Sequence, residues 1–72
     1  RNTSYILGMD KTPITLTKDR DYLGRDYWTV SVTHEGNVYE ECADTRTAAV
    51  KMAAPMLASA CGIKDWFITE AE

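Results

Sequence analysis

Few side chains in this 72-residue sequence have the types and spacing that catalysis or metal binding requires. His34 is the single histidine, so metal motifs built on two histidines lack their second ligand. It falls in a turn, with neither the partner nor the pocket that a general base needs, and reads as a turn residue. Glu40 and Glu41 are adjacent carboxylates, but neighbours on a strand point to opposite faces and do not meet at one reacting bond. The sequence contains no CxxC pair, phosphate loop or nucleophile elbow. Zinc, nucleotide and serine-hydrolase chemistry therefore have no starting point. No catalytic residue, cofactor or metal is expected.

The elements that would position a site are easier to read. Trp28, Val30 and Val32 alternate with Thr29, Ser31 and Thr33 over Tyr27 to Thr33, the period-2 signature of a half-buried strand. His34-Glu35-Gly36 fits a three-residue hairpin loop with Gly36 in the left-handed position. That loop pairs Thr33 with Asn37, Val32 with Val38, Val30 with Glu40 and Trp28 with Cys42. Asp44 or Thr45 can cap an alanine-rich helix running to about Cys61, with Gly62 as its left-handed terminus. Val50, Ala53, Leu57 and Ala60 form its inward stripe, flanked by Ala49 and Met56, with Thr47, Lys51 and Ser59 behind. Pro55 lies on the back and is expected to kink the rod. Asp65 to Thr69 closes the domain as a strand, and Ile14 and Leu16 mark another after Pro13. Tyr5 to Leu7 is a weaker strand candidate, and Lys18 to Asp26 reads as a long charged loop. The expected architecture is a two-layer α+β domain spanning 1–72, in the order β-β-β-α-β. A three- to four-stranded, mostly antiparallel sheet carries one kinked helix on one face.

These placements assign roles to the remaining candidates. Cys42 precedes the helix and Cys61 ends it, about sixteen residues or roughly 24 Å apart, too far for a disulfide. Two free thiols are expected, with Cys42 a small core residue. The register turns Glu40 toward the helix, either with its head in water at an edge or paired with Arg46 or Lys51. It also places Tyr27, Tyr39 and Glu41 together on the outer sheet face. This face is the expected partner-binding surface, because Tyr offers broad contact area at low entropic cost. Residues 1–11 can cover it instead. The charged loop, with Arg20, Tyr22 and Arg25, is the second candidate.

The totals narrow the partner class. The chain is 44% hydrophobic and 26% charged, the composition of a folding domain. At this length the core is marginal, so a partner or a homodimer can matter. The net charge is −3, with five basic and four acidic residues in 1–34 against three and seven in 35–72. No basic cluster suits a nucleic acid, and a protein with a basic surface is the expected partner. Without an apolar run of about eighteen residues or a signal-peptide plan, no membrane span is expected and the location is read as cytoplasmic.

The segment from Tyr27–Val32 through Asp44-Thr45-Arg46-Thr47-Ala48-Ala49 to the closing strand resembles two groups of small proteins in layout. One is the HicB-type antitoxin domain, in which a hairpin strand leads into a Thr-initiated, Ala-containing helix. That family commonly adds a DNA-binding segment, and none lies between Thr69 and Glu72. The other is the phage-encoded inhibitors of anti-CRISPR type, several of which are acidic α+β domains of this size. Both resemblances cover about Tyr27 to Thr69. They imply a non-catalytic protein-binding role: a small phage-type inhibitor that blocks a larger assembly, or an antitoxin-like regulatory module. An RNA-binding domain is the reading the charge balance supports least.

Overall fold

A computed structural model describes residues 11–71. The elements follow in the order β1 (Thr12–Arg20), β2 (Asp26–His34), β3 (Asn37–Ala43), α1 (Arg46–Ala48), a π-helical turn (Ala49–Ala53), α2 (Ala54–Cys61) and β4 (Trp66–Glu70). The four strands form one sheet in the order β3-β2-β1-β4. The β1–β2 and β2–β3 pairs are antiparallel, and β4 joins β1 in parallel. The α+β architecture is therefore the one expected. The strand candidate at Tyr5 to Leu7 lies outside the described residues.

Local chemistry explains the strand limits. Ile14 and Leu16 of β1 and Val30 and Val32 of β2 are buried against the helix, while the threonines between them face the other way. Pro13 lacks an N–H, and the β1–β2 ladder begins only at Thr15 opposite Ser31. The expected long loop from Lys18 to Asp26 is shorter than that, because Lys18, Asp19 and Arg20 belong to β1 and Asp26 to β2. The ladder continues to Arg20 opposite Asp26, because opposite charges face one another there. Asp26 lies 3.5 Å from Lys18 and 3.3 Å from Arg20. Cross-strand ion pairs of this kind support a ladder. Only residues 21–25 remain as a turn.

The helix begins where Thr45 accepts the N–H of Ala48 at 3.0 Å, and it ends at Gly62 with φ 73°. Pro55 is accommodated without breaking the rod. An α-helical turn leading into it would press the ring against the carbonyl four residues earlier. The rod instead widens just before it, and Ala54 donates its N–H to the carbonyl of Ala49. This i→i−5 turn changes the helical phase. Residues five apart in an α-helix differ by about 140° in direction, yet Ala49 and Ala54 are both fully buried. Ala54 and Ala58 thus join Ala49, Ala53 and Leu57 in the core, whereas Ala60 and Met56 face solvent. Trp28, Val50, Trp66 and Ile68 pack around this cluster.

The helix runs beside β2 and β3 without burying β3. Every residue from Asn37 through Cys42 is exposed. Cys42, expected in the core, is an exposed free thiol whose Sγ lies 3.7 Å from Thr29 Oγ1. Cys61 is also free and half-buried.

Candidate functional site

The β2–β3 turn decides which side chains can form a site. Glu35 has φ 53° and Gly36 φ 83°, the two successive positive values of a two-residue type I′ turn. His34 therefore pairs with Asn37, and the register differs by one residue from that of a three-residue loop. A shift of one exchanges the faces of the whole strand. Tyr39 lies opposite Val32 and Glu41 opposite Val30, so both point to the helix side. Glu40 lies opposite Ser31, on the outer face. The expected trio of Tyr27, Tyr39 and Glu41 is thus divided, with Tyr27 alone on the outer face. Of the two alternatives for Glu40, its carboxylate is exposed on the edge strand and is not paired with Arg46, which reaches Glu70 at 2.7 Å instead.

Tyr27 sits in a polar setting. It faces Asp19 across the ladder, and that carboxylate, together with desolvation, raises the phenol above its ordinary pKa. Thr29 donates to Asp19 at 3.3 Å, and Thr15, Thr17 and Ser31 share this face. Such a surface offers hydroxyls more than contact area.

At the β1–β2 turn, Asp21 accepts the N–H groups of Leu23 and Arg25, each at 2.9 Å. Arg25 returns to Asp21 at 3.4 Å and Arg20 to Asp26 at 3.3 Å. Both predicted arginines are therefore engaged in surface ion pairs. The Asp26 carboxyl is held below its usual value, first by the hydrogen bond from Arg20 and then by Lys18. Tyr22 projects into solvent with 94% of its surface exposed. The turn thus holds Arg20 and Arg25 in ion pairs at its two ends and leaves Tyr22 exposed between them.

A groove lies between β3 and the helix. One part, a cavity of about 390 Å³, runs beside Glu41, Ala43, Ala48, Met52 and Met56. Another, of about 530 Å³, runs beside His34, Tyr39, Glu41, Leu57 and Cys61. Glu41 borders both parts. Met52 and Met56, one helical turn apart, are each 63% exposed. Sequence reasoning placed Met56 beside the core and did not single out Met52. The signal available was their i,i+4 spacing, and the π turn directs that pair out along the groove.

Among the described residues, no three His, Cys, Asp or Glu side chains converge as metal ligands. His34 lies 3.9 Å from Glu35 at an exposed turn. No helix among these residues is long and apolar enough to cross a membrane. Comparison of the chain with protein-family models, curated proteins and solved structures gives no match.

Proposed function

We propose that this chain is a non-catalytic protein-binding module that inhibits a larger assembly by occupying a basic surface on it. The observation that carries this reading is the groove along β3. Tyr39, Met52 and Met56 are large apolar side chains, 40–63% exposed, gathered beside an unburied edge strand. Aromatic and methionine side chains are enriched at protein interfaces, and methionine adapts its shape to a partner. Glu40, Glu41 and Asp44 border the groove or its edge and supply negative charge, which favours a basic partner and opposes nucleic acid. The Thr45-capped helix between a hairpin and a closing strand is also the layout of HicB-type antitoxin domains, which supports a second reading as an antitoxin-like module.

Affinity capture from native lysate tests both. The tagged chain is expected to retain one stoichiometric protein. The double variant Tyr39→Ala and Met52→Ala should weaken retention at least about tenfold, or 1.4 kcal/mol, with an unchanged circular-dichroism spectrum. A small toxin-like protein as the retained species would select the antitoxin reading. Nuclease-sensitive RNA as the sole retained species, or full retention by the folded variant, would refute the groove as a protein site.

A further inference from the structure

We propose that the outer edge of β3, unpaired among the described residues, is a strand-addition site for a basic, extended segment of a partner protein, a mode of binding that rests on the protein-binding reading above. A two-residue hairpin loop makes its flanking residues, His34 and Asn37, a hydrogen-bonded pair, and such pairs alternate along an antiparallel ladder. Tyr39, Glu41 and Ala43 therefore spend their N–H and C=O groups on β2. Those of Val38, Glu40 and Cys42 point away from the sheet. β3 is the last strand on this side, and no other described strand pairs with that edge.

Natural edges are commonly blunted by charged side chains, lysine above all, by proline or by a bulge. β3 has no lysine, proline or bulge, since its sequence is Asn-Val-Tyr-Glu-Glu-Cys-Ala and its register with β2 is unbroken over seven pairs, and its only charges are the carboxylates of Glu40 and Glu41. An added strand would direct alternate side chains into the groove beside Tyr39, Met52 and Met56, where pockets for alternate residues give such modes their specificity.

Charge selects the occupant. β3 carries Glu40 and Glu41 and no Lys or Arg. Full overlap of β3 with an antiparallel second copy would set Glu40 directly against Glu40 of that copy. A shift by one hydrogen-bonded step shortens the overlap in either direction, setting Glu41 against Glu41 of that copy one way and Tyr39 against Tyr39 the other. Like charges directly opposite destabilise a sheet, whereas a strand bearing Lys or Arg gains from the same carboxylates.

Amide hydrogen exchange on the full chain tests this, with a blocked heptapeptide of alternating lysine and valine as the probe. At saturation, exchange at Val38, Glu40 and Cys42 should slow at least about tenfold while Tyr39 and Glu41 do not change. A heptapeptide of alternating glutamate and valine should have no effect. The double variant Glu40→Lys and Glu41→Lys should reverse this preference. The proposal is overturned by the absence of the alternate-residue pattern or by equal effects of both peptides. It is also overturned if the three amides are already slow in the free chain, whether independently of concentration, as for an edge covered by residues 1–10, or increasingly with concentration, as for a second copy. Suppose the captured protein is lost on Tyr39→Ala, yet in its complex the three amides remain as fast as in the free chain. Strand addition then fails while protein binding stands. If the lysine peptide gives the pattern but no protein is captured, the edge accepts strands and the inhibitor reading fails.

Discussion

Leu57→Ala and Met56→Ala change adjacent residues, and the π turn requires them to behave differently. Leu57 is 6% exposed and is the single residue larger than alanine among the helix positions buried in the core. Its removal leaves a gap that neighbouring Ala53, Ala54 and Ala58 are too short to fill. Leucine-to-alanine changes in cores cost about 2–5 kcal/mol, and poor refilling keeps the loss off the low end of that range, at about 3 kcal/mol or more. A stability of 0.05–0.15 kcal/mol per residue gives this 72-residue chain about 4–11 kcal/mol in all. The loss should lower Tm by roughly 12–24 °C. Met56 is 63% exposed, so truncation removes little buried area and introduces the best helix former, for a change of less than about 1 kcal/mol. Thermal denaturation followed by circular dichroism reads both. Equal shifts in the two midpoints would show that Met56 belongs to the inward stripe and that the helix has no π turn.

Glu35 occupies a left-handed position that costs a residue with a Cβ about 1–2 kcal/mol unless its side chain suits it, so Glu35→Asn should raise the urea midpoint. An unchanged or lower midpoint would contradict the two-residue turn. Both thiols should label without prior reduction, Cys42 faster than the half-buried Cys61 in the native state, and equal native rates would contradict their placement. The hydrogen bond from Arg46, opposed in part by desolvation, lowers the Glu70 carboxyl below its usual value. Its stabilising contribution is therefore present above the ordinary carboxylate pKa and lost as pH falls through the lowered one. Glu70→Gln should remove that share of the acid sensitivity, and a parallel acid-denaturation curve for this variant would show that the pair contributes nothing in solution.

The strands, the helix and the buried faces of β1 and β2 were legible because each is a matter of local periodicity. Ile14, Leu16, Val30 and Val32 alternate with hydroxyl residues whatever their neighbours, and Thr45 and Gly62 mark helix ends by their own backbone chemistry. The candidate site was not legible, because it depends on two single-residue offsets that composition cannot distinguish. His34-Glu35-Gly36 and Glu35-Gly36 are both chemically acceptable turns, but only the tertiary ladder chooses between them, and that choice moves Tyr39 and Glu41 to the helix side. Pro55 announces a disturbance in the helix without saying which. Packing against the sheet resolves it as a widened turn, which buries Ala54 and turns Met56 outward. Charge clusters were misleading for a related reason, since Lys18 to Asp26 looks like loop in one dimension while Arg20 and Asp26 pair across two strands. Local chemistry determined which elements form, whereas register and helical phase, which are properties of two elements in contact, determined which side chains share a surface.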